Sequence, residues 1–264
     1  MLIRIGVVKV IKNCVIYKYL GAFNNVWVID EDRLSSSKLE RCLQEATGFT
    51  KSRLKALMEL TKDEKISLEE ETKNHYIATF SCEFRTPKLI AASEAPPFVP
   101  VNFRIWLRKK SSLVVPFDAG RKLSGVAAAL LSYATTGNPS SIELVKLKKE
   151  DFINLKDWIL ADSHSILGQI KGITMHGVEE NSVKFKKVIL NSSQLEKSPL
   201  FNQLLDYASA IANMSFVTPP LESTNRPLSC RINYWGGLAI YTSNLLDSEL
   251  SELIGILEKL MKEG

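Results

Sequence analysis

The sequence predicts an α+β protein in two regions, and a few observations carry that expectation. Segments in which apolar and polar residues alternate, such as His75 to Cys82 and Arg231 to Tyr241, share the chain with segments of helical spacing, such as Asp247 to Lys262. A proline-rich stretch, Pro96-Pro97-Phe98-Val99-Pro100, denies ladder hydrogen bonds and places a boundary near Pro96. After it, a strand followed by a helix recurs along the chain, which suggests a mixed β-sheet covered by helices. Residues 1–90 and 101–264 are therefore expected to form separate domains.

The 264 residues suffice for one large or two medium domains, and the 45% hydrophobic content is that of an ordinary globular core. The net charge of +5 tilts expectation toward a polyanionic partner without reaching the charge of a nucleic-acid-coating protein. Cys14, Cys42, Cys82 and Cys230 have no CxxC spacing, so reduced, buried thiols are expected rather than a zinc site or a disulfide framework. The longest apolar run, Val126 to Leu131, is far too short to cross a bilayer. No signal-peptide cleavage region follows Met1, and a cytoplasmic location is expected.

Residues 3–20 are rich in β-branched residues, yet Val7, Val10, Ile11 and Cys14 also mark a helical face, so strands and helix both stand. Val26-Trp27-Val28-Ile29 reads as a strand ended by Asp30-Glu31-Asp32. Ser35-Ser36-Ser37 offers caps for a helix that buries Leu39, Cys42 and Leu43, with Glu40 in capping-box position. Gly48 stops that helix. Thr50 caps a second one, whose buried stripe is Leu54, Leu57 and Met58. Lys65 to Leu68 and His75 to Cys82 then form a hairpin around Glu69-Glu70-Glu71 and Lys73-Asn74.

In the second region, Val101 to Leu107 and Ser112 to Phe117 are strands flanking the basic turn Arg108-Lys109-Lys110. Ala119 to Ala134 is a helix ended by Gly137-Asn138-Pro139. Strands follow at Ile142 to Leu147, Ile166 to Met175 and Val183 to Leu190, with a short helix at Asp151 to Leu160. Leu200 to Met214 reads as a helix, Arg231 to Tyr241 as a hairpin turning at Gly236-Gly237, and Asp247 to Lys262 as a closing helix.

Rossmann, Walker A, nucleophile-elbow and HExxH motifs are all absent, and the only histidines are His75, His164 and His176. Neither a cofactor nor a metal nor a catalytic residue is expected, and the chain reads as a binder rather than an enzyme. Asp162-Ser163-His164 fits a turn better than a catalytic set. At Asp118 to Lys122, Gly120 with Arg121 and Lys122 offers a phosphate-binding helix start, against the plainer reading in which Asp118 caps the helix and the cations are solvated. Arg104 to Lys110, interleaved with Phe103, Trp106 and Leu107, reads either as an exposed platform for nucleic acid or as a half-buried strand whose rings are core.

The most informative stretch is residues 43–54, Leu-Gln-Glu-Ala-Thr-Gly-Phe-Thr-Lys-Ser-Arg-Leu. It resembles the helix-turn-helix of winged-helix regulators of the IclR and MarR-like groups, although Gln44 stands where that family usually has a small residue. The resemblance implies Gly48 at the turn, Phe49 between the helices, Thr50 as cap, a first helix within residues 7–20 and a wing after Lys65. It further implies a double-stranded DNA partner, with the helix from Lys51 in the major groove. Ser52, Arg53 and Lys55 would reach base edges and phosphates, Arg53 as the principal base reader. Arg108, Lys109, Lys110, Arg121 and Lys122 are the further candidate DNA contacts. The second domain is expected to serve dimerisation, ligand sensing or partner binding. The rival reading is a protein-assembly component in which the helix pair is plain scaffold.

Overall fold

The computed structural model describes residues 11–20, 27, 29–36, 39–46, 48–85, 98–109, 111–161, 163, 166–180, 183–242 and 244–261. They form two compact units, one within residues 14–145 and the other from residues 11–13 with 146–261. Each unit has a six-stranded sheet, and the pairings with a defined register are all antiparallel. The α+β class is thus correct, while the expected mixed sheet is replaced by antiparallel ones. Most of these pairings join strands consecutive in the chain, for which a short connection gives an antiparallel neighbour and a parallel one would need a long crossover.

The described residues begin with β1 (Ile11–Val15) and β2 (Tyr17–Tyr19), so 11–15 and 17–19 are strands. The first helix implied within residues 7–20 is therefore absent from 11–19, and residues 3–10 lie outside the described residues. Of the strand expected at Val26 to Ile29, Trp27 and Ile29 are described and belong to no strand. Asp30 does not end a strand but caps a short helix, α1 (Glu31–Ser36), accepting the Arg33 amide at 2.9 Å. Then come α2 (Leu39–Glu45) and α3 (Gly48–Met58), so the helix pair stands where the sequence puts it. Thr50 lies inside α3 rather than before it, and Gly48 is its first residue.

The hairpin of β3 (Thr61–Glu71) and β4 (His75–Arg85) continues into β5 (Phe98–Arg108), β6 (Leu113–Pro116), α4 (Arg121–Thr136) and β7 (Ile142–Leu144). The sheet order is β3-β4-β5-β6-β2-β7. The hairpin is therefore the edge of a larger sheet. Pro96 and Pro97 lie outside the described residues, but the strands on either side pair along their length, from His75 opposite Arg108 to Arg85 opposite Phe98. The units divide instead at 13/14 and 145/146.

α4 explains the core of this unit. Val126, Ala127, Leu130, Leu131 and Ala134 are completely buried, as expected of a helix that is apolar all round. Its alanines allow close approach: the Cys42 thiol on α2 lies 3.9 Å from the Ala129 carbonyl. Gly137 ends α4 in the left-handed conformation at φ 74°, where an L side chain would be strained.

The second unit contains α5 (Lys149–Ile159), β8 (Gln169–Glu180), β9 (Val183–Asn191), α6 (Pro199–Tyr207), β10 (Ala208–Val217), β11 (Ser229–Asn233), β12 (Gly237–Tyr241) and α7 (Asp247–Leu260). Its sheet runs β1-β12-β11-β10-β8-β9. The helix expected over Leu200 to Met214 stops at Tyr207, and Ala208 begins a central strand. A register shift between Ile211 and Asn213 inserts one residue into β10, so buried Ile211 and Met214 are three apart, as on a helix. α5 and α6 pack on β8 and β10, and α7 packs on α5.

α7 is fixed by a buried acid. Glu249 accepts from the Leu246 amide at 2.9 Å, the Thr224 hydroxyl at 2.8 Å and Arg226 Nε at 2.8 Å. Burial pushes its carboxyl pKa up, but these donors, the Arg226 guanidinium foremost, outweigh burial and hold it below the usual range. No helix among the described residues is long and apolar enough to cross a membrane.

Candidate functional site

α3 is held by one face and displays the other. Leu54 and Leu57 are buried, whereas Lys51, Ser52 and Lys55 are exposed. Arg53 belongs to the same helix, its side chain lying outside what is described. Lys51 and Lys55 are one turn apart and project from the same side. From Gly48 to Met58 the helix has no acidic residue. Lys51 stands toward the start of α3, where a cation opposes the macrodipole at a cost of about 0.3–1 kcal/mol, whereas Lys55 is in the last turn, where the macrodipole favours it. The two exposed lysines, with no carboxylate on the helix to offset them, put positive potential along one side of α3.

The remaining predicted cations lie on other elements. Lys109 clamps the β3–β4 hairpin: its Nζ lies 2.5 Å from Glu71 Oε1, 2.6 Å from the Thr72 carbonyl and 4.8 Å from the centre of the Tyr76 ring. Arg108 is half-buried, and its carbonyl accepts the Trp27 indole at 2.8 Å. Lys110 lies outside the described residues. Arg121 and Lys122 are exposed in the first turn of α4. The N-cap of that helix is Gly120, not Asp118, which stands two residues earlier at φ 54°. The predicted cations are thus distributed over three elements: α3, the strand beside the hairpin end, and the start of α4.

Phe103, Trp106 and Leu107 are buried while Arg104 is exposed, so β5 follows the half-buried reading and its rings are core rather than a stacking platform. His75 stacks on Trp106 with ring centres 4.2 Å apart. Its Nε2 is buried without a hydrogen-bond partner among the described residues. Burial first, then Arg108 and Lys109, lower its pKa from 6.5 to about 4, so the ring is neutral near pH 7. Asp162 and His164 lie outside the described residues. Burial also raises the thiols of Cys14 and Cys42 to about 12 and that of Cys82 to about 11, which keeps them protonated. No group of three or more potential metal ligands occurs among the described residues.

Sequence reasoning missed a second feature, in the C-terminal unit. One face of its sheet carries helices; the other holds a concavity of about 320 Å³. Thr174, His176, Asn191, Asn213 and Ser215 line it, together with the cations Lys187 and Arg231. Register assembles them in rows: Asn191, Gly172, Ser215 and Arg231 cross the sheet side by side, and Lys187 lies opposite His176. The available signal was alternation within single strands, as in Ile173-Thr174-Met175-His176 and Cys230-Arg231-Ile232, where every second residue is polar.

No family model matches the chain, and no curated protein matches it at a significant level.

Proposed function

We propose that this protein binds double-stranded DNA through α3, as a regulator or other DNA-associated factor, with Lys51, Ser52, Arg53 and Lys55 forming the contact surface. The carrying observation is that α3 buries Leu54 and Leu57 while exposing Lys51, Ser52 and Lys55 on a helix free of carboxylates. The order of α2, α3 and the β3–β4 hairpin supports the reading, because it is the order of a recognition helix followed by a wing. In this reading Arg53 reads a base edge and Lys51 neutralises phosphate.

The test is a titration of labelled duplex and single-stranded DNA at several salt concentrations. Arg53→Ala should weaken specific duplex binding by about 1–3 kcal/mol, whereas Lys51→Ala should lower the salt slope by about 1 while weakening all sequences alike. Duplex affinity indifferent to both substitutions sinks the proposal. A second reading, assembly with a protein partner, is favoured by β9. This edge strand leaves Val183, Phe185 and Ile189 exposed, apolar surface that a protein partner would cover. Co-purification of a partner with no retention of duplex at moderate salt would select it.

A further inference from the structure

We infer that the open face of the C-terminal sheet is a binding site for a phosphate-bearing small molecule, held between Lys187 and Arg231. This inference is independent of the α3 proposal, since it concerns residues of the other unit.

An antiparallel sheet with one face against helices leaves alternate residues on the other face free to meet solvent or a ligand. Here those residues are of one electrostatic kind. Lys187 and Arg231 are exposed, and no carboxylate lines the concavity among the described residues. Neither cation is in an ion pair or side-chain hydrogen bond among the described residues, in a chain with 29 acidic side chains. The same holds for the side chains of Thr174, His176, Asn191, Asn213 and Ser215. Hydroxyls, amides and an imidazole thus share one hollow with two unneutralised cations, which is the donor set that phosphate oxygens require.

The dimensions narrow the ligand. Arg231 and Lys187 are on β11 and β9, with β10 and β8 between them. Three interstrand spacings separate them by roughly 14 Å across the sheet, and the four-residue step from Gly172 to His176 adds about 13 Å along it. Their long side chains therefore lean in from opposite corners of the hollow. At about 320 Å³ the volume is at the lower end for small-molecule sites. Ile189, 55% exposed beside Thr174, adds an apolar wall for the body of the ligand. Gly172 forms the floor. A Cβ there would come within 2.6 Å of Asn191 Oδ1, so the absence of a side chain is what lets the Asn191 amide extend over the sheet.

The experiment is calorimetric titration of the full chain with pyrophosphate and with ATP. Pyrophosphate isolates recognition of the phosphate, and ATP adds a body to it; saturable binding of either is the expected result. Lys187→Ala and Arg231→Ala should each weaken binding about tenfold or more, the loss of one charge-assisted contact. Lys186→Ala removes the same charge from the next position of the same strand, on the alternate face, and should change affinity less than twofold. Gly172→Ala, which displaces the Asn191 amide with every charge intact, should weaken binding as well. The inference is overturned if neither probe binds saturably at millimolar concentration. It is equally overturned if Lys186→Ala weakens binding as much as Lys187→Ala, because the attraction would then be general.

Discussion

Substituting His75 by phenylalanine should make the N-terminal unit more resistant to acid, by an amount set by the imidazole's surroundings. The ring is 6% exposed, stacks on Trp106 and has Arg108 directly opposite in the neighbouring strand. In the unfolded chain it takes up a proton near pH 6.5, in the folded one only near 4. Between those values the unfolded state binds more protons, so folding stability falls as pH drops from 6.5 toward 4, and the full loss is reached below 4. The limiting loss is about 3 kcal/mol, and at pH 5 about 2 kcal/mol has already gone. Phenylalanine retains the stacking surface, has no proton to gain, and leaves the backbone bonds of residue 75 with Thr72 in place. Urea unfolding of both proteins at pH 7.5 and pH 5, followed by tryptophan fluorescence, tests this. With a slope of about 2 kcal/mol/M, the midpoint advantage of His75→Phe should grow by about 1 M between the two conditions. Carboxylates titrate equally in both proteins and cancel in the comparison. A midpoint difference that does not change with pH, or a His75 resonance that titrates near 6.5, would refute the reasoning.

Cys14, Cys42, Cys82 and Cys230 are all buried, so iodoacetamide at pH 8 should leave the native protein unmodified and label every cysteine in urea, read by mass spectrometry. Rapid native labelling of Cys42 would contradict its packing against α4. Ser132→Ala should cost about 1–3 kcal/mol in denaturant unfolding, because it strips buried backbone groups of their partner. Its Oγ accepts the Ser141 amide at 2.7 Å and the Ile142 amide at 3.1 Å, and donates to the Asn138 carbonyl at 2.6 Å. An unchanged unfolding midpoint would show that those groups do not depend on the hydroxyl.

The sequence is most readable where one local rule decides the structure. Alternation around Thr72 to Asn74 gives the β3–β4 hairpin, Gly236 at φ 72° allows the β11–β12 turn, and Glu249 gives α7 its acidic start. The apolar run at Val126 to Leu131 is a buried helix, as its length requires. Reading fails where tertiary context decides. Asp30 has the same chemistry at the end of a strand as at the head of a helix, and only the Arg33 amide distinguishes them. Ala208 to Met214 has helical spacing because a bulge resets the alternation, and a bulge is visible only once the partner strand is known. The prolines near residue 96 mark an interruption of regular structure, but chain stiffness says nothing about whether the strands on either side belong to one sheet.

Functional surfaces follow the same division. α3 is contiguous in sequence, so its basic face can be read from the order Lys51, Ser52, Arg53, Leu54, Lys55 alone. Lys109 looks equivalent in composition, yet its partner Glu71 is 38 positions away in the chain, and only the register of β3, β4 and β5 turns it from a candidate contact into a hairpin clamp. The open face of the C-terminal sheet is the extreme case: no two neighbouring residues announce it, because each strand contributes only alternate positions. Arg231 reaches Asn191 by way of Ser215 and Gly172, a row fixed by three successive strand pairings. A one-residue slip in any of them would send half the row to the helix-covered side, where a cation without a partner could not be accommodated. The buried Ile173, Met175, Met214 and Phe216 on the helix side fix the register and, by doing so, fix which polar groups share the open face. The packing that stabilises the sheet thereby also sets the geometry of the surface it leaves to solvent.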